Sequence, residues 1–226
     1  MPHTPVGMDI LDTLRKSILM AFRALPILLI SFTAFLAIGL GNMGMFILFF
    51  GQAVLVPIVT SLTHIFTQKV LGDKVFVPGT DIVQLVPSLS TSLPVNVVPS
   101  YWMQHVLFFL GYLIANGVAI HGLPEEKGQP EYLVSNRKAK ANTVISVAVV
   151  AAILLSYFRF TITGNAETLI GIGAAFVTGG ALGYGWYQFA AYCGARHADV
   201  FGVVPTILPA SAKEQKAMAC VYAPRP

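Results

Sequence analysis

LPILLISFTAFLAIGLGNMGMFILFFGQAVLVPIVTSLTHIF, residues 25–66, runs for 42 positions without an Asp, Glu, Lys or Arg. As one straight helix it would extend about 63 Å, twice the ~30 Å hydrocarbon core of a bilayer. Gly41-Asn42 in its middle is a turn signal. The stretch therefore predicts two spans, 25–40 and 43–66, folded into a tight antiparallel hairpin. The first arm is about 24 Å long and short for a full crossing, so a re-entrant hairpin is the competing geometry. Pro26 predicts a kink where this arm meets the segment before it.

The rest of the chain has the same character. Of 226 residues, 55% are hydrophobic and 11% charged, against about 25% charged in soluble domains. That is too little charge to cover a soluble surface, and it excludes an ordinary cytosolic enzyme, a disordered chain and a disulfide scaffold. The expected fold is all-α: a multi-pass transmembrane bundle of four to five spans, at 25–40, 43–66, 100–120, 141–157 and 169–193. Residues 1–24 are an amphipathic N-terminal segment without a cleavable signal pattern, predicted helical over 8–24, where Ile10, Leu14, Ile18 and Phe22 recur every fourth position. Such a helix suits a membrane surface. Cys193 and Cys220 are the two cysteines. They make either one link from the tail to the membrane domain or two free thiols.

Three connections separate these parts. Loop 67–99 contains Pro78, Pro87, Pro94 and Pro99, which exclude a helix there, and many valines, which favour extended backbone. It is uncharged from Ile82 onward, so it is expected to lean on a partner or on the membrane surface. Loop 121–140 is the most polar segment. The tail, 194–226, contains prolines and one capping-box pattern, Ser211 to Glu214. Lys and Arg flank the spans almost evenly on both sides, so the positive-inside rule does not orient the chain. A net charge of +4 with no Lys/Arg run gives no nucleic-acid surface.

Within the fifth span, Gly171, Ala175, Gly179 and Gly183 fall at i, i+4 spacing and make one smooth ridge. Small ridges let two helix backbones approach closely. The expected role is a helix-packing contact, within the bundle or between copies of the chain. Tyr101 and Trp102 at the start of the third span, and Tyr184, Trp186, Tyr187 and Tyr192 at the exit of the fifth, are expected to form interfacial belts. Gln52, Gln104 and Asn116 are expected to bond neighbouring helices rather than line a pore. His64 and His105 fall at one membrane face, but no carboxylate or second pair supports a haem or metal there. No catalytic motif is present, so the chain is expected to be neither an enzyme nor a cofactor protein.

Three stretches carry a resemblance: VPSYWMQHVLFFLGYLIANG (98–117), SNRKAKANTVISV (135–147) and YCGARHADVFGVVPTILPASA (192–212). They resemble multi-pass membrane proteins of the nucleocytoplasmic large DNA viruses with algal hosts, over about residues 98–215. The resemblance implies a structural protein of the virion's internal membrane, anchoring that membrane to minor capsid proteins. Loop 67–99, loop 121–140 and tail 194–226 would then be the docking segments. It carries over no catalytic residues. The alternatives from the residues themselves are an accessory subunit of an organellar bioenergetic complex or a small channel or transporter.

Overall fold

A computed structural model describes residues 6–71, 76–78, 94–96, 98–124, 131–162, 168–194 and 200. Along the chain these form α1 (Val6–Arg23), α2 (Leu25–Leu40), α3 (Met43–Phe50), a π-helical turn (Gly51–Leu55), α4 (Val56–Leu71), β1 (Phe76–Pro78), β2 (Pro94–Asn96), α5 (Tyr101–His121), α6 (Glu131–Ile162) and α7 (Leu169–Tyr192). The expected all-α bundle is what the chain builds. Four segments are long and apolar enough to cross a membrane: Met43–Thr67, Tyr101–His121, Glu131–Thr161 and Leu169–Tyr192. The pair α1–α2, bent by 66°, makes a fifth if it counts as one span. Large apolar side chains such as Phe35, Ile38, Val150, Ile153 and Val177 stand exposed along the outer faces. Burying them requires lipid, and the chain is an integral membrane protein in design.

The hairpin forms where the turn signal lies. Gly41 takes φ +59°, a left-handed conformation that glycine adopts without steric cost. Asn42 caps the next helix, its side chain accepting from the Met45 N–H at 3.2 Å. Thr33 and Gln52, nearly equidistant from that turn, then meet side chain to side chain. The bend between α1 and α2 falls at Ala24, and Pro26 occupies the first turn of α2, where its missing N–H costs nothing. On α1, Ile10, Leu14 and Ile18 remain exposed, and Lys16 pairs with Asp12 at 2.8 Å.

The π turn was not foreseen. Pro57 has no N–H to donate, and its ring crowds the carbonyl four residues back. The helix widens just ahead of it, the Val56 N–H bonding to the Gly51 carbonyl five residues earlier. Beyond it Thr60, Ser61 and Thr63 donate to the carbonyls four residues back, so their hydroxyls need no water.

α5 is the central helix. α7 runs parallel to it: the Ser100 N–H donates to the Gly171 carbonyl at 3.1 Å near their starts, and Tyr112 meets Tyr187 further along. α6 runs antiparallel, with Gly117 against Ile145 at one end and Arg159 over Trp102 at the other. Ser100 and Thr168 cap α5 and α7.

Two differences from expectation concern the connections. The expected polar loop over 121–140 is helical from Glu131. The run 131–140 is rich in good helix formers and has neither Pro nor Gly, and polarity alone does not break a helix. At 32 residues, α6 is about 48 Å long, some 18 Å more than the hydrocarbon core. In the expected extended loop, α4 takes residues up to Leu71, and β1 and β2 pair antiparallel with Val77 opposite Val95. The remainder of that loop, most of the tail, the capping box and Cys220 lie outside the described residues. Cys193 is exposed and free.

Candidate functional site

The four ridge residues all lie on one seam, between α7 and α5. Gly171, Ala175, Gly179 and Gly183 are buried. A Cβ on Gly179 would stand 3.0 Å from the Gln104 carbonyl oxygen and 3.2 Å from the Leu107 Cβ. A Cβ on Gly183 would run into the Phe108 carbonyl oxygen and stand 2.9 Å from the Tyr112 nitrogen. The contact is reciprocal, because a Cβ on Gly111 of α5 would stand 2.7 Å from the Gly180 carbonyl. The ridge therefore works within the chain. Gly111 was missed as its counterpart, although an isolated glycine in mid-helix, costing about 1 kcal/mol against alanine, is a readable signal.

The π-helical turn after α3 closes on this seam through Gly51, whose absent Cβ leaves space for the Phe108 ring and the Trp186 indole. The Trp186 Nε1–H donates to the Ile47 carbonyl at 2.9 Å. Three helices thus meet around Gly51, Phe108, Gly183 and Trp186.

This arrangement corrects the expected belts. Trp102 is 2% exposed, donates to the Phe22 carbonyl through Nε1–H at 3.2 Å and lies tilted against the Phe22 ring. Tyr187 is buried edge-on against Tyr112, and Trp186 is half-buried at the junction. A helix-end aromatic has the composition of a belt residue, but here neighbouring helices cover it. Tyr184 and Tyr192 remain exposed, and Tyr101 is half-buried against His105.

The intramembrane amides bond between helices, as expected for two of the three. Gln104 Oε1 accepts from Thr178 Oγ1 at 2.8 Å, and Gln52 Oε1 accepts from Thr33 Oγ1 at 3.3 Å. Asn116 is fully buried, and among the described residues neither of its side-chain polar atoms has a partner. His105 Nδ1 bonds to the Tyr101 carbonyl at 3.1 Å, while His64 faces the Val98 main chain. Among the described residues no three His, Cys, Asp or Glu side chains come together as a metal site. A Gln104→Met, Thr178→Val double-mutant cycle is expected to give a coupling of about 0.6 kcal/mol. Detergent unfolding of the four proteins measures it, and additive single-mutant effects would remove this bond from the account.

A buried cation lies beyond the expected fourth span, 141–157: Arg159 is fully buried near the end of α6, its guanidinium 4.9 Å from the centre of the Trp102 ring. Nothing in its spacing distinguished it from a solvated loop arginine.

At the opposite end, α5 and α6 border a cavity of about 400 Å³. Gly117, Ile120, Ala141 and Val144 are among its apolar lining residues, and Arg137 and Lys140 also border it. No protein-family model, curated protein or solved structure matches the chain.

Proposed function

We propose that the chain is a structural integral membrane protein of a larger assembly, set in the internal membrane of a virion and anchoring that membrane to minor capsid proteins. The observation that supports a structural role is the α5–α7 seam. Backbone packed directly on backbone at Gly111, Gly179 and Gly183 holds helices in one register and resists the sliding or opening that a transport cycle needs. The intramembrane glutamines bond across helices instead of facing a path. The polar first turns of α6 carry a rigid surface out of the hydrocarbon, suited to a protein partner. The virion setting rests on the resemblance over residues 98–215. In this reading the chain performs no catalysis and takes no cofactor.

Cross-linking in the gently purified native particle tests the proposal. Lys69 and Lys140 are exposed at opposite ends of the bundle, so they report the two faces separately. Capsid proteins bound through either lysine are the expected result. Respiratory or photosynthetic subunits in their place would make the chain an accessory subunit of a bioenergetic complex. A chain recovered alone, with conductance in a planar bilayer, would overturn the structural reading.

A further inference from the structure

Among the described residues, no carboxylate neutralises the cation that lines the cavity between α5 and α6. Arg137 is 3% exposed. One Nη donates to the Leu123 carbonyl at 2.6 Å, and among the described residues Nε has no partner and no carboxylate pairs with the guanidinium. Arginine stays ionised at any pH the protein meets. A buried cation without a counter-ion is strongly unfavourable, and an anion seated beside it relieves that cost. Lys140 lies one helical turn further along α6, exposed and lining the same cavity. The remaining lining residues are Gly117, Ile120, Ala139, Ala141, Thr143 and Val144, mostly small or apolar. Along α6 the lining residues run from Arg137 and Lys140 to Ala141 and Val144, toward the middle of the span.

We propose that this cavity is a binding site for an anionic phospholipid. Its phosphate sits by Arg137 and Lys140, and an acyl chain lies along Gly117, Ile120, Ala141 and Val144. The order of charge and apolarity matches that of a lipid in its own leaflet, headgroup outward and chain inward. A zwitterionic lipid brings a cation with its phosphate and gains less from the same two side chains.

Native mass spectrometry of the full chain tests this after lipid depletion and re-exposure to equimolar phosphatidylglycerol and phosphatidylcholine. The expected result is retention of phosphatidylglycerol over phosphatidylcholine by about tenfold. Lys140→Gln should lower that ratio several-fold, and Arg137→Gln should bring it near one. Ala139→Leu adds bulk at an exposed position lining the cavity, and should reduce retention of both lipids without altering the fold. Equal retention of the two lipids by the native chain would overturn the proposal. So would displacement of the retained lipid by millimolar inorganic phosphate, which would make the site one for a free anion. Should Arg137→Gln fail to fold, unchanged retention in both Lys140→Gln and Ala139→Leu would be equally decisive against it.

Discussion

Replacing Gly183 with alanine is expected to destabilise the protein by about 3 kcal/mol, the upper end of the usual overpacking range. The added methyl group collides with main-chain atoms of Phe108 and Tyr112. Main chain in a helix cannot rotate aside as a side chain can, so α7 must move away from α5. Gly179→Ala meets the Gln104 carbonyl and Leu107 at 3.0 and 3.2 Å, and should cost about 1 kcal/mol because small shifts relieve it. Gly185→Ala meets nothing within 4 Å and should be neutral or gain a few tenths of a kcal/mol from helix propensity. Unfolding by titrated denaturing detergent would rank the three variants. Equal stability of Gly183→Ala and Gly185→Ala would mean that the seam is not where the bundle is held.

Trp102→Ala should cost about 4 kcal/mol, within the range for removing a large buried aromatic. The indole is nearly enclosed by Phe22, Arg159 and the helices behind them. Its loss opens a cavity, removes the hydrogen bond to the Phe22 carbonyl and takes away the ring face on which the Arg159 guanidinium rests. Trp102→Phe keeps most of the volume and a weaker ring face, and should recover about half of the loss. The same unfolding titration separates these cases. A Trp102→Ala protein as stable as the native chain would contradict the burial described above and return Trp102 to an interfacial role.

What the sequence revealed depended on whether the signal was local. The hairpin was legible because Gly41-Asn42 interrupts an apolar run too long for one crossing. The ridge was legible because i, i+4 spacing is a property of one helix. Its partner was harder to find, since a lone Gly111 names no neighbour until α5 and α7 are placed side by side. The π turn depends on how Pro57 is accommodated rather than on any periodicity. Trp102, Tyr187 and Arg159 were misplaced for one reason: their position along a helix is visible in sequence, but the helix that covers them is not. The early start of α6 was hidden because charge was read as loop.

The central place of α5 bears on how the protein is made. α5 enters the membrane before the helix that closes its glycine seam exists, because α6 must be synthesised and inserted between them. Until α7 arrives, Gln104 lacks Thr178, and the grooves beside Gly111 and Phe108 are open to lipid. Two-stage assembly is therefore built into the order of the spans, with insertion first and sealing of the α5–α7 seam last. A ribosome stalled before residue 169 leaves a membrane-inserted chain whose Gln104 is uncovered, a natural mark for membrane quality control.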